Sequence, residues 1–256
     1  MLAGLGALSA LAVVERQGST LQARFAARRD MEADVARFRE RAPTLANVDA
    51  LLKDRRVLTT VLEAFQLESE IDKRAILRRV MTEDPADRGS LVSRLADPRW
   101  KQLAEAIGAG RAEGPPLAKP DIVDRIVSGA LTNRFEKEMG EANPGLREAL
   151  YFRRMAGRVE TVAQLMGDRA LAEVARGALG LPRQFGLLSF EQQRDLLTRR
   201  VDLQQFKDPK AIARLAQRYL AQLEPAESTS PTAALFGRGD ANAIAALATR
   251  RLSLRV

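Results

Sequence analysis

The chain has 256 residues, with 41 Lys+Arg against 33 Asp+Glu, a formal charge of +8. It contains neither histidine nor cysteine. This excludes Ser-His-Asp and Cys-His catalysis, thiolate and imidazole metal sites, and disulfides. A 46% hydrophobic and 29% charged composition is that of an ordinary globular chain.

The first fourteen residues, Met1 to Val14, are uncharged. The run is too short to span a bilayer, which takes about 20 apolar residues. It also lacks the basic start of a signal peptide. It reads as a small-residue helix buried in the domain, and a cytoplasmic protein is the expectation. Further along, Asp97-Pro98, Asn143-Pro144 and Asp208-Pro209 each offer a capping side chain followed by proline at the first helical position. Ser189 with Gln192 fits a capping box, and Ser69 to Asp72 is a weaker version. Ile122, Ile126, Ala130 and Leu131 form an apolar stripe at helical spacing, as do Ile212, Leu215, Tyr219 and Leu220. No segment alternates like a strand. The fold class is all-α.

Residues 108–120 are rich in Gly and Pro and read as a connector. Residues 224–240 read as a linker before a short helix over 241–251. A repeat lies between these features. Phe38, Arg39, Val48, Leu51, Asp54, Arg55, Ala64 and Leu67 recur 114 residues later as Phe152, Arg153, Val162, Leu165, Asp168, Arg169, Ala178 and Leu181. The shared Asp-Arg pair reads as a helix start or a local ion pair. The expected organisation is a helical segment at 1–37, a first repeat at 38–107 and the connector at 108–120. Linking helices at 121–151, a second repeat at 152–222 and a tail at 223–256 complete it. The multi-helix body thus carries an internal duplication.

The charge is unevenly spread. Residues 43–144 hold 16 basic and 17 acidic side chains, whereas residues 145–220 hold 14 and 8. Arg153, Arg154, Arg158, Arg176, Arg199 and Arg200 are the candidate surface for an acidic partner. A nucleic-acid-binding regulator using the basic second half is the alternative function. It is the weaker one, because the neighbouring acids dilute the patch and no aromatic side chains are interleaved with it. Gly4-x-Gly6-x-x-Ser9 lacks a preceding strand and a third glycine, so it is no dinucleotide loop. The acids at Glu68, Glu70, Asp72 and at Glu83, Asp84, Asp87 lack the pattern of a Ca²⁺ loop. No catalytic residue, cofactor or metal is implied, and the chain is read as a non-enzyme.

Several stretches resemble one family. They are Ala64-Phe65-Gln66-Leu67, Ile76 to Met81 and Ser93-Arg94-Leu95-Ala96-Asp97-Pro98-Arg99-Trp100. Phe135-Glu136 and Gly180 to Leu188 join them in the second half. The chain is similar to an alphaproteobacterial family of unknown function that is typically encoded among flagellar genes. It departs from the family in having Gln66 for a usual glycine, Ser93 near a usual asparagine and Trp100 for tyrosine. The resemblance implies a helical flagellum-associated interaction or assembly protein with a protein partner, such as a flagellar component. It names no functional residue.

Overall fold

A computed structural model describes residues 4–110 and 117–223 of the chain. The expected linker and terminal helix beyond 223, and the middle of the connector, lie outside the described residues. Thirteen α-helices and no strand occur among the described residues, so the chain is all-α. They are α1 (Ala7–Ala26), α2 (Arg29–Arg41), α3 (Val48–Lys53), α4 (Arg55–Glu63), α5 (Arg74–Thr82), α6 (Leu91–Arg94) and α7 (Pro98–Ile107). Then come α8 (Pro120–Ala142), α9 (Leu146–Met155), α10 (Val162–Gly167), α11 (Arg169–Ala178), α12 (Phe190–Arg200) and α13 (Pro209–Leu223). Helix α9 crosses the expected boundary at 151/152.

Short polar side chains start most of these helices. Asp97 accepts from the Arg99 N–H and Asp208 from the Lys210 N–H, each with proline at the first helical position. Thr161 and Ser189 both form full capping boxes. Asn143-Pro144 does not cap α9. The helix starts two residues later, after Gly145, which turns the chain at φ 82°. The reason is steric: in the left-handed region only glycine is free of a Cβ clash. Ser69 to Asp72 likewise starts no α-helix, because Glu68–Glu70 forms a 3₁₀ turn and α5 begins at Arg74.

The apolar residues sort into two cores. The first gathers Phe38, Leu51, Leu58, Leu62, Leu77 and Leu103, and it is closed by Val123, Ile126 and Val127 from the first half of α8. The second gathers Phe152, Leu165, Leu171, Val174, Phe206 and Leu220, with Phe135 and Met139 from the second half of α8. Helix α1 joins this second core through Ala7, Ala10, Leu11 and Val14, so one face of the uncharged N-terminal run is buried from Ala7 onward, while Leu5 is exposed. Helix α8 therefore contributes one end to each core.

Local structure recurs at the spacing of the sequence repeat. The 3₁₀ turn Ala42–Thr44 and helix α3 have counterparts 114 residues on in the turn Ala156–Arg158 and helix α10. Asp54 caps α4 and Asp168 caps α11. Both helices end on a left-handed residue, Gln66 at φ 56° and Gly180 at φ 64°. The N–H groups of Leu67 and Leu181 then close the same helix-ending bond, to Leu62 and Arg176. The position where the resembling family carries glycine is thus one where glycine is favoured. Gln66 holds it at a steric cost and uses its side chain, whose Nε2 donates to Glu136 at 3.0 Å. Gln66→Ala keeps the strain and loses the bond, whereas Gln66→Gly loses the bond and the strain together. The glycine variant should be more stable than the alanine variant by about 1 kcal/mol in urea unfolding.

Candidate functional site

Three of the buried polar residues, Gln66, Glu136 and Asp168, belong to one network that links elements of both cores. Asp168 is fully buried. It caps α11 through the N–H groups of Ala170 and Leu171, and it accepts the Tyr151 hydroxyl at 2.5 Å. Arg99, from the start of α7, reaches Asp168 at 3.7 Å and grips Asp97 with two nitrogens. Its third nitrogen donates to the Gln66 carbonyl at 2.8 Å. Beside it, buried Glu136 of α8 accepts Arg154 at 2.9 and 3.0 Å and Gln66 at 3.0 Å. Arg154 also stacks over the Tyr151 ring. Burial, then the Asp168 charge and hydrogen bond, push Tyr151 well above its ordinary pKa, so it stays a proton donor. Burial works against the Arg99 charge, but the hydrogen bond and charge of Asp97 outweigh it and raise its pKa. Every carboxylate in this seam is thus held by several donors. The arrangement joins the halves and leaves none of these carboxylates as a free general base.

The close approach has a local cause. Gly167, the last residue of α10, lies against the turn before α7. A Cβ there would stand 2.7 Å from the Ala96 carbonyl carbon and the Asp97 nitrogen. The same holds where α8 meets the end of α4, since a Cβ on Gly129 would lie 2.9 Å from the Ala64 carbonyl oxygen.

An open cleft of about 800 Å³ lies between α2 and α4. Phe38 and Val57 line its apolar part, and Arg37, Arg41, Arg56 and Arg134 stand beside Asp34, Glu40 and Asp54. Arg41 pairs with Asp54 at 2.9 Å, and Arg134 bridges Asp34 at 3.1 Å and Glu63 at 2.8 Å. The hydrogen bond from Arg41 is the main reason that Asp54 titrates below its ordinary range. Both signs of charge are present. Among the described residues, no three His, Cys, Asp or Glu side chains are grouped so as to hold a metal ion.

Three of the six arginines singled out from the sequence are paired with acids of the chain, and the other three are exposed. Arg153 pairs with Glu15 of α1 at 2.8 Å, Arg154 turns into the seam, and Arg176 pairs with Glu173 at 2.5 Å. Arg158 lies exposed on the 3₁₀ turn after α9. Arg199 and Arg200 are exposed neighbours in the last turn of α12. That helix has a second feature that the sequence did not disclose. Leu187, just before it, is 85% exposed, and Phe190, its first residue, is 50% exposed. Only Leu197 of α12 is buried, whereas α5 buries Leu77, Val80 and Met81. The Ser189 capping box located the helix start, but it carries no information on what covers the apolar side chains beside it.

Among the described residues, no helix is long and apolar enough to cross a membrane. No curated protein matches the chain. The fold is similar to that of the crystal structure of protein AGR_C_984 from Agrobacterium tumefaciens, with a TM-score of 0.74 and 23% identity. The likeness covers 84% of this chain and 92% of that one, and it speaks to the fold alone. Residues 64–212, more than half of the chain, match the model of a family described as a protein of unknown function (DUF1217), and the chain belongs to that family.

Proposed function

We propose that this protein is a non-enzymatic, flagellum-associated interaction or assembly factor that binds a partner through α12. The observation that carries this reading is the exposed pair Leu187, in the turn just before α12, and Phe190, the first residue of the helix whose last turn carries Arg199 and Arg200. Apolar side chains of that size left in water beside a basic helix end suit an amphipathic helix with acidic flanks. The apolar anchors supply the affinity, and the arginines set the orientation and on-rate. The flagellar setting rests on the family resemblance seen in the sequence, an associational support rather than a chemical one. The arrangement of Arg153, Arg154 and Arg176 favours no nucleic-acid reading, since each already faces an acid of its own chain.

The test is affinity purification of the full chain from its native bacterium, read by mass spectrometry. The Leu187→Ser, Phe190→Ser double variant serves as the comparison. Flagellar proteins should be enriched with the wild type and drop at least tenfold with the variant, whose melting curve should be unchanged. Equal recovery with both would refute binding through α12.

A further inference from the structure

The seam seats a turn in a groove, and both have counterparts that stand open. The seated turn is Ala96–Arg99, whose Asp97 caps α7 and whose Arg99 faces Asp168. The groove that receives it is walled by Gly167 and Asp168, with Tyr151 bonded to Asp168 and Phe152 in the adjoining core; Tyr151, Phe152 and Asp168 are exposed by 2%, 0% and 0%. Arg37, Phe38 and Asp54 hold the corresponding places 114 residues earlier. Phe38 is buried as Phe152 is, but the Arg37 side chain is 63% exposed and that of Asp54 is 19% exposed. These two line the open cleft. The counterpart of the turn is Asp208-Pro209-Lys210. It opens α13 with the same carboxylate cap, and all three residues are exposed.

A two-fold contact between the halves would close both turn–groove pairs. Only one is closed, so the contact is heterologous and leaves one turn and one groove unmatched. We propose that the cleft between α2 and α4 receives the Asp208-Pro209-Lys210 turn of a second copy of this chain, joining copies head to tail. Lys210 then meets Asp54 and Glu40, as Arg99 meets Asp168. Asp208 meets Arg37 and Arg41. A turn carrying both charges suits a cleft carrying both, where a simple anion would face the acids as well as the arginines. Exposed Lys53 stands where the seam has Gly167. It holds the incoming turn farther out, so this contact is weaker than the seam and reversible. The surface on α12 plays no part in it.

Sedimentation velocity on the full chain tests this at concentrations up to about 1 mM, the weak end of measurable affinity. The wild type should form species larger than dimers as concentration rises. Lys210→Glu, which spoils the turn, and Arg37→Glu, which spoils the groove, should each stay monomeric. An equimolar mixture of the two should give a one-to-one dimer and nothing larger, because each variant retains one good end. Lys53→Gly should move self-association to at least fivefold lower concentration. Glu40→Lys replaces Arg37→Glu as the groove variant if the latter melts early. A wild type and a Lys53→Gly variant that both remain monomeric would overturn the proposal. So would a mixture that yields no dimer, or an association that neither charge reversal weakens.

Discussion

Asp168→Ala is expected to lower the free energy of unfolding by about 3–4 kcal/mol. Three losses combine. The N–H groups of Ala170 and Leu171 lose their cap, a change that typically costs about 1 kcal/mol. The Tyr151 hydroxyl, 2% exposed as a residue, loses its acceptor while remaining buried, for about 1–3 kcal/mol more. Arg99 loses a facing charge but keeps Asp97, so its share is the smallest. Asp168→Asn keeps one acceptor oxygen, which can serve the cap, while its amide nitrogen cannot accept the Tyr151 hydroxyl, so it should lose about 1 kcal/mol less than the alanine variant. Equilibrium urea unfolding followed by circular dichroism measures both. A loss under about 1 kcal/mol for the alanine variant would mean that the seam contributes little to stability.

The second large effect is expected at Gly167. Its counterpart in the first half is Lys53, so the backbone there tolerates a side chain, and the need for glycine comes from the neighbour. Gly167→Val places atoms inside the Ala96–Asp97 backbone, which cannot give way as a side-chain tip could. The turn must back out and take Arg99 with it. The cost is about 3 kcal/mol, in the range of core overpacking. The more specific consequence is lost cooperativity. Each half keeps its own core, but the Gly167 and Arg99 contacts that help couple them are gone. The one tryptophan, Trp100, is buried in the first core. In the wild type its fluorescence and the helical signal should unfold together, and in Gly167→Val the two curves should separate. Coincident curves in the variant would place the coupling elsewhere, in α8.

Helix starts were the most legible part of the fold. Asp97, Asp168, Ser189 and Asp208 cap because a short polar side chain before a helical stripe has one obvious use. Asn143 has the same sequence appearance and fails, because Gly145 two residues later changes the direction of the chain. The matches Phe38/Phe152 and Asp54/Asp168 were readable in the sequence, and they fall on buried and capping positions, which tolerate few residue types. The candidate sites were less legible. The seam depends on which helix faces which, so that Glu136 finds Arg154 and Gln66 only once α8 is placed between two cores. Arg153, Arg154 and Arg176 looked like free charge because their partners lie on other helices or one turn away. Nothing in the sequence marked Leu187 and Phe190 as exposed, because spacing tells which side of a helix is apolar and does not tell whether anything covers that side.

The proposed function is tested most directly by placing a photo-crosslinking amino acid at Leu187 in the native bacterium and identifying what it captures. The account predicts a discrete adduct with a flagellar protein through an acidic amphipathic helix, and no such adduct when the probe sits at exposed Glu32 of α2. Fully flagellated cells whose probe at 187 gives no adduct, or gives the same products as the probe at 32, would contradict it.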